Sequence, residues 1–249
     1  MDKLDLLFPE AVGEWTPDRL LPYRETWRHR SPEQLLEWAL RTFSPIALAT
    51  SFGPSGIVTM AMVARLRPQP TTFYLDTGLL FPETYRLRDQ LAEQLHLQFT
   101  QITPELGLEA QVEQYGEALW ASQPDLCCQL RKVRPLRHFL ASQQAWITGI
   151  RRDQGGSRAT IEPVEWDYAH NLVKLNPLAY WTREQVWDYI REHDLPYNRL
   201  HDEQFASIGC IPCTRPVTAH EPERAGRWAG QVKTECGIHI QPDGKVRRV

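Results

Sequence analysis

Residues 46–67 read IALATSFGPSGIVTMAMVARLR, and this stretch decides the fold. The short apolar run at 46–50 is typical of a buried strand, and the apolar positions of 57–67 recur at the spacing of a helix. Between them lies a turn, 51–56, that contains two glycines, two serines and a proline. A buried strand that passes through such a turn into a helix is the beginning of a βαβ unit.

The same alternation continues on both sides of this stretch. Further strands are predicted at 72–75, 97–102 and 146–150, with a helix at 82–95 and helical segments before the last strand. Capping boxes predict helix starts at Ser31, with Gln34, and at Thr182, with Gln185. Residues 159–165 and 172–175 are expected to be extended. The pattern predicts an α/β fold, a parallel sheet with helices on both faces.

Three segments are predicted within one compact domain. Residues 1–44 form an N-terminal helical segment, 45–205 a nucleotide-binding α/β core, and 206–249 a loop-rich C-terminal extension. The extension is expected to fold back over the carboxyl ends of the strands, where sheets of this kind bind ligands.

The composition excludes several classes of protein. Of 249 residues, 42% are hydrophobic and 24% charged, and 28 Lys and Arg against 31 Asp and Glu leave a net charge of −3. A chain-wide basic surface for nucleic acid is therefore excluded. No apolar run approaches the roughly 20 residues of a membrane span, and the N-terminus lacks the pattern of a secretory signal. We expect a cytoplasmic protein without a nucleic-acid or membrane partner.

The cysteines are the most informative residues. There are five, an odd number, which in a reducing compartment argues against a disulfide framework. Cys127 and Cys128 are adjacent, Cys210 and Cys213 form a C-x-x-C pair, and Cys236 lies alone near the C-terminus. Four thiolates suit either an iron–sulfur cluster or a tetrahedral zinc ion, and spacing does not distinguish the two. The plainer alternative is five unrelated buried thiols.

Two loops are candidates for binding an anion. The first loop precedes a helix and contains Ser51, Phe52, Gly53 and Ser55. The backbone N–H groups of these residues can face a phosphate. The alternative is that the loop is only a tight strand-to-helix connection and binds no ligand. The loop lacks the lysine of a Walker A motif and the aspartate of an ATP pyrophosphatase loop, which favours a nucleotide bound without cleavage of Mg-ATP. After the strand at 146–150, three arginines are suited to clamping phosphate or sulfate oxygens: Arg151, Arg152 and Arg158.

Together these elements resemble a known family. The segments TSFGPSG, LDTGLLFPETY, CC with RKVRPL, WITGIRRDQGGSRA, LPYNRLHDEQFASIGC, CIPC and KTECGIH occur in order over about residues 45–240. This set is similar to the adenylylsulfate and phosphoadenylylsulfate reductases of assimilatory sulfate reduction. The resemblance implies an adenine nucleotide α-hydrolase-like fold, with substrate contacts at Asp76, Thr77 and Gly78.

The resemblance also implies a cofactor, one 4Fe–4S cluster per chain. Its ligands would be Cys127, Cys128, Cys210 and Cys213, which match the ligand positions of the family. The cluster is not expected to pass electrons. With basic neighbours such as Lys132, its electric field is expected to tune the reacting centre.

For Cys236 the resemblance implies the role of nucleophile. Its thiolate would attack the sulfur of the phosphosulfate, AMP would leave, and the S-sulfocysteine would be discharged as sulfite by an outside dithiol, thioredoxin or a glutaredoxin. Gly237 would let the tail fold in, and His239 is either a proton carrier or an incidental residue. Arg224 and Arg227, in RAGRWAG, resemble a substrate-contacting region of the family.

The predicted function is thus thioredoxin-dependent reduction of adenylylsulfate in sulfate assimilation and cysteine biosynthesis. Reduction of phosphoadenylylsulfate, or of both nucleotides, is the first alternative. A zinc-bearing, ATP-dependent tRNA-thiolating enzyme of related fold is the second. The third is a non-enzymatic iron–sulfur regulatory or binding module.

Overall fold

The computed structural model describes residues 14–231, 233 and 235–239. Residues 1–13 and 240–249, which belong to the predicted terminal segments, lie outside the described residues. The helices are α1 (Pro17–Trp27), α2 (Pro32–Thr42), α3 (Pro54–Ala64), α4 (Pro82–Leu95), α5 (Leu108–Tyr115), α6 (Leu119–Ser122), α7 (Pro124–Cys128), α8 (Arg134–Leu140) and α9 (Arg183–Glu192). A π-helical turn, Gln129–Val133, joins α7 to α8.

Six strands form one sheet. They are β1 (Ile46–Ala49), β2 (Thr71–Leu75), β3 (Phe99–Ile102), β4 (Ala145–Ile147), β5 (Val164–Asp167) and β6 (Leu172–Leu175). Their order is β3-β2-β1-β4-β6-β5. All neighbours pair in parallel except β5 and β6, which pair antiparallel. The predicted parallel sheet thus has one antiparallel edge strand, and the extended segment predicted from residue 159 becomes a strand only at Val164.

Alternating side chains of the strands build a core on each face of the sheet. Leu48 and Ile147 lie in the larger core, together with buried residues of α1, α2, α3, α4 and α9. Ala47 and Trp146 point to the opposite face, where they pack against the buried leucines of α8. Both faces are covered, as the sequence predicts for a parallel sheet.

The two predicted capping boxes are present. Ser31 accepts a hydrogen bond from the backbone of Gln34 at the start of α2. Thr182 accepts one from the backbone of Gln185 at the start of α9. Both boxes satisfy backbone N–H groups that a helix start leaves without partners. In the described part of the chain, no helix is long and apolar enough to cross a membrane.

The strand order determines where a ligand can bind. From β1 the chain proceeds to β2 on one side, whereas β4 lies on the other side of β1. The strand order thus reverses between β1 and β4, and the loops that leave their carboxyl ends diverge there and leave a crevice. The turn at 51–56 leaves β1, and the arginine-rich loop leaves β4.

Candidate active site

A cavity of about 240 Å³ occupies this crevice. Its walls are residues 49–56 after β1, 148–151 after β4, residues 206–210 of the C-terminal extension, and residues of the tail that include Cys236. Part of the C-terminal extension thus closes over the carboxyl ends of the strands. The volume of the cavity lies just below the roughly 300–1,000 Å³ that is typical of small-molecule sites in proteins.

The loop after β1 presents backbone donors to this cavity. The hydroxyl of Thr50 accepts a 2.9 Å hydrogen bond from the backbone N–H of Phe52. Phe52 has a φ of +58°, a conformation that is uncommon for a residue with a side chain. Its ring is buried against Tyr74 and Phe99, which holds the loop in this strained form. With Gly53 as its N-cap, α3 then starts at the cavity, where the N-terminus of a helix attracts anions.

The close approach of two loops requires a glycine at position 149. A Cβ atom on Gly149 would lie 2.9 Å from the backbone nitrogen of Gly56, at the start of α3. The end of β4 therefore packs directly on the backbone of the anion-binding loop. This contact sets the distance between the loop after β1 and the arginines after β4.

Arg151 is one of the buried cations that line the cavity. Its side chain is 2% exposed; Nε donates to Asp153 at 2.9 Å, and Nη1 donates to the hydroxyl of Ser55. Nη2 lies 3.7 Å from a carboxylate oxygen of Glu223 and has no hydrogen-bond partner among the described residues. A buried guanidinium nitrogen that has no hydrogen-bond partner among the described residues is suited to donating to an oxygen of a bound anion.

The prediction for Arg152 is wrong in geometry, because its side chain does not line the cavity. Nε donates to the carbonyl of Ile161 at 2.7 Å and Nη2 to Glu162 at 2.8 Å, and the guanidinium lies 4.2 Å from the ring centre of Tyr180. Arg28, the C-cap residue of α1, donates to the same glutamate at 2.8 Å. Arg152 therefore belongs to an ion-pair network that joins α1 to the region before β5.

Arg158 and Arg224 lie together in the cavity wall and share one carboxylate. Glu235 accepts from Nε and Nη2 of Arg158 at 3.1 and 3.2 Å, and from Nη2 of Arg224 at 3.0 Å. Burial and the nearby charge of Arg158 lower the pKa of Arg224 to about 10, although Glu235 acts in the opposite direction. The repulsion between the two cations is thus only partly offset, and the cavity carries positive charge on this side.

Arg227 completes the basic side of the cavity. Its guanidinium lies 4.6 Å from the ring centre of Trp228, a cation–π contact. Trp228 is 2% exposed and packs against Cys210 and Cys236, between the C-x-x-C pair and the tail cysteine. The indole therefore connects the region of the four cysteines with Cys236.

Of the three residues predicted after β2, only Thr77 lines the cavity. Asp76 is buried and fully engaged, since its carboxylate accepts from the backbone of Gly78 at 2.8 Å, from Tyr85 at 2.7 Å and from Gln101 at 2.7 Å. The predictions of substrate contact for Asp76 and Gly78 are therefore wrong in geometry: the carboxylate stabilises the turn. The hydroxyl of Thr77 lies 3.3 Å from the sulfur of Cys210.

The four predicted metal ligands lie around one small cavity. This cavity is lined by all four cysteines, Cys127, Cys128, Cys210 and Cys213. Its other lining residues include Leu79, Trp120, Arg131 and Lys132. Among the described residues, no group of three or more His, Cys, Asp or Glu is arranged to hold a single metal ion. Lys132 and Cys210 line both this small cavity and the larger one. The two cavities therefore share a wall.

Burial changes the acidity of these groups. It raises the pKa of Cys127 and Cys213, and it raises the pKa of Cys128 to about 11. Burial acts to lower the pKa of Lys132, but the neighbouring cysteines outweigh it and the pKa is raised. Lys132 therefore remains a cation in the wall between the two cavities.

The described part of the tail places Cys236 at the larger cavity. Gly237, with a φ of +85°, turns the chain in a conformation that favours glycine. His239 stacks on Trp146, with ring centres 5.6 Å apart, and burial lowers its pKa well below the usual value. The imidazole is therefore neutral at neutral pH.

Several residues of the site have no counterpart in the sequence-based prediction. Glu235 directly precedes the predicted nucleophile, so its position in the motif was the available signal. Trp228 stands in the same RAGRWAG segment as the two predicted arginines. His201 lines the cavity, and its Nδ1 donates a 2.7 Å hydrogen bond to the carbonyl of Phe205. Arg183, at the start of α9, also lines the cavity. The capping box from which this helix start was predicted does not indicate which residues face the cavity.

The fold and the site define a class of protein: an α/β adenine-nucleotide-binding fold whose cavity contains a cysteine thiol. The profile of the phosphoadenosine phosphosulfate reductase domain family matches residues 45–216. The adenosine 5′-phosphosulfate reductase of Salinibacter ruber is 49% identical over 236 residues, 94% of each chain. The phosphoadenosine 5′-phosphosulfate reductase of Gloeobacter violaceus is 48% identical over 86% of this chain and 90% of its own.

Solved structures agree with the sequence comparisons. The phosphate complex of the phosphoadenylyl-sulfate reductase from Candida auris superposes with a TM-score of 0.73 at 29% identity, over 81% of this chain and 98% of its own. The FMN adenylyltransferase of Candida glabrata has a TM-score of 0.53 at 15% identity over 93% of this chain and 80% of its own, and shows likeness of fold alone. The chain belongs to the phosphoadenosine phosphosulfate reductase family, a family of oxidoreductases. The predicted family and fold class are confirmed.

Proposed function

We propose that the chain reduces adenylylsulfate to sulfite and AMP in sulfate assimilation and cysteine biosynthesis. One observation carries the proposal: the thiol of Cys236 lines the same cavity as the anion-binding loop after β1 and as Arg158, Arg224 and Arg227. A nucleotide with two linked anionic groups matches a cavity that has one group of anion donors at the helix start and a second at the arginines.

In the proposed complex the two ends of the substrate meet different residues. The start of α3, Ser55 and Arg151 bind the phosphate of the adenylate. Arg158 and Arg224 bind the oxygens of the sulfate, and their charges fix the sulfur in front of Cys236.

The first chemical step transfers the sulfonate group. The thiolate of Cys236 attacks the sulfur, a new S–S bond forms, and the S–O bond to the phosphate breaks. The electron pair of that bond leaves with AMP, as a phosphate oxygen. Arg151 and the backbone N–H groups of the loop stabilise the charge that develops there. The product is S-sulfocysteine at position 236.

The second step needs electrons from outside the chain. A thiolate of an external dithiol, thioredoxin or a glutaredoxin, attacks the sulfur of Cys236, and sulfite leaves with the electron pair of the S–S bond. The second thiol of the dithiol then releases Cys236 and becomes part of a disulfide. The sulfur of the substrate is reduced and the dithiol is oxidised. We place this exchange in the cytoplasm, where dithiols are kept reduced.

We further propose that the four cysteines around the small cavity hold one 4Fe–4S cluster. The donor set fits such a group, because four buried thiols line one small cavity and burial raises the pKa of three of them, Cys127, Cys128 and Cys213, so that a cationic centre is needed to deprotonate them together. When bound, the cluster supplies an electric field at the wall formed by Lys132 and Cys210. Lys132 itself holds a positive charge beside the reacting centre throughout the cycle.

The choice of substrate is tested by comparing the two nucleotides directly. The relatives include enzymes named for each, although those of Salinibacter ruber and Bacillus subtilis are adenosine 5′-phosphosulfate reductases. With thioredoxin as reductant, we expect sulfite release from both to be measurable and kcat/KM to be higher for adenylylsulfate. A 3′-phosphate adds about two negative charges, which need further donors near the ribose. A higher kcat/KM for phosphoadenylylsulfate would reverse the assignment of the preferred substrate. If neither nucleotide yields sulfite, the proposed function is contradicted.

A further inference from the structure

The carboxylate of Glu235 is the only acid that joins Arg158 and Arg224 in the part of the chain that the structure describes. Its side chain is 8% exposed, that of Arg158 10% and that of Arg224 20%. Both arginines line the large cavity and Glu235 does not. The glutamate therefore pairs with both guanidinium groups without itself lining the cavity.

The three residues come from different parts of the fold. Arg158 belongs to the 3-10 turn Gly156–Arg158 in the loop that follows β4, whereas Arg224 lies in the C-terminal extension. Glu235 belongs to the tail and directly precedes Cys236. The ion pairs thus join the cavity wall to the segment that carries the thiol.

The charges of Arg158, Arg224 and Glu235 explain why these three side chains hold fixed positions. Two cations and one anion leave one net positive charge toward the cavity. Nη1 of Arg158 donates in addition to Gln154 at 2.6 Å, so each of the three guanidinium nitrogens of this arginine has a protein acceptor. Hydrogen bonds between charged groups in such a buried position are about twice as strong as neutral ones and are directional.

We propose that Glu235 is a positioning residue: its carboxylate fixes the tail on Arg158 and Arg224, so that the thiol of Cys236 faces the anion these arginines hold. This rests on the proposed function of the cavity and names the residue that aligns nucleophile and substrate. Without the ion pairs the tail leaves the cavity wall more often, and the fraction of molecules with Cys236 in place decreases.

The direct test needs no substrate. Holoprotein carrying Glu235→Gln is treated with iodoacetamide, and alkylation at Cys236 is followed by peptide mass spectrometry. We expect the rate to rise about tenfold over wild type, the effect of losing about one charge-assisted hydrogen bond. Glu235→Asp, which keeps the charge on a shorter side chain, should give an intermediate rate. Glu221→Gln is the matched control, because this exposed glutamate of the same extension pairs with Arg215 outside the cavity, and it should leave the rate unchanged.

A kinetic measurement separates positioning from structural support. In single turnover without reductant, Glu235→Gln should form S-sulfocysteine about tenfold more slowly, while the Kd of AMP changes less than about threefold, since the loop after β1 and Arg151 are intact. An unchanged alkylation rate in both Glu235 variants would overturn the inference, even if the wild type releases sulfite. Absence of sulfite release from the wild type would instead contradict the proposed function, and the alkylation result would still decide the role of Glu235.

Discussion

Two neighbouring arginines have different tasks at the carboxyl end of β4. Arg151 is buried in the cavity beside Ser55, whereas Arg152 points away and pairs with Glu162. Arg151 has an extended backbone and Arg152 begins a 3-10 turn, so the two side chains leave the loop in different directions. Of the two arginines, only Arg151 lines the cavity at the switch point of the sheet.

This difference predicts unequal effects of the same conservative change. In Arg151→Lys the charge remains, but the planar guanidinium that reaches Ser55 and the anion together is lost, so the Kd of AMP should rise about tenfold. In Arg152→Lys the Kd should change less than about twofold, with a lower unfolding temperature as the main effect. Isothermal titration with AMP measures both. Equal losses of affinity in the two variants would show that Arg152 contacts the ligand.

The sequence predicts many of the residues of the site but not which side they face. It placed Arg151, Arg158 and Ser55 correctly at the cavity, because they follow buried strands at the edge where such sheets bind ligands. It also assigned Arg152 and Asp76 to the substrate, but neither side chain lines the cavity. Glu235 was not predicted, since its function depends on two arginines that are distant in sequence.

At the scale of the elements, the contact of Gly149 with the start of α3 leaves no space for a side chain at position 149. A methyl group at this position would meet backbone atoms rather than a flexible side chain. Gly149→Ala should therefore displace the anion-binding loop, lower the free energy of unfolding by about 1–3 kcal/mol and weaken AMP binding. Gly107→Ala is the control, since nothing lies within 4 Å of its added methyl group. Chemical denaturation and AMP titration would show the difference, and similar results for both variants would contradict this account of the contact.

The network that joins α1 to the region before β5 predicts a dependence of stability on pH. Burial acts to raise the pKa of Glu162, but hydrogen bonds from Arg28 and Tyr180 and the charge of Arg152 outweigh it, so the pKa lies below its usual value of 4.5. A carboxyl group whose pKa is lower in the folded protein stabilises the fold above its unfolded pKa and loses this effect as the pH falls through the folded pKa.

Glu162→Gln should accordingly lower the unfolding temperature at pH 7 by about 5 °C. The difference from wild type should decrease steadily below about pH 4.5, because the wild-type glutamate then becomes protonated. Thermal unfolding of both proteins between pH 7 and pH 3 measures this. A difference that grows toward acid pH would contradict the assigned direction of the pKa.

Elements with strong local signals were predicted best. The helix at 82–95 and the two capping boxes have the predicted positions, since each depends on residues close in sequence. The antiparallel direction of the edge strand β5 was not predicted, because it is set by the pairing with β6 through a short turn and not by the residues of β5 itself. Local patterns indicate that a strand exists, whereas its direction depends on the partner strand.

In the whole molecule, two cavities with different chemistry meet at Lys132 and Cys210. The proposed cluster on one side and the nucleotide on the other are therefore coupled through a shared wall. Cys213→Ser removes one proposed ligand while leaving the larger cavity intact, since Cys213 does not line it. We expect wild-type protein purified without oxygen to contain about four irons and four sulfides per chain, and the variant to lose iron and activity together. Full activity of iron-free protein, or one zinc per active chain, would contradict the cluster.

We propose above all that Cys236 takes the sulfonate group from the substrate. Wild-type protein is mixed with adenylylsulfate in the absence of reductant, freed of nucleotide, and analysed by intact and peptide mass spectrometry. We expect one adduct with the mass of SO₃ per chain, on Cys236, formed together with an equal amount of AMP and discharged as sulfite by thioredoxin. Cys236→Ser should form no adduct while still binding AMP. An adduct on another cysteine, or sulfite release by Cys236→Ser at the wild-type rate, would contradict the mechanism.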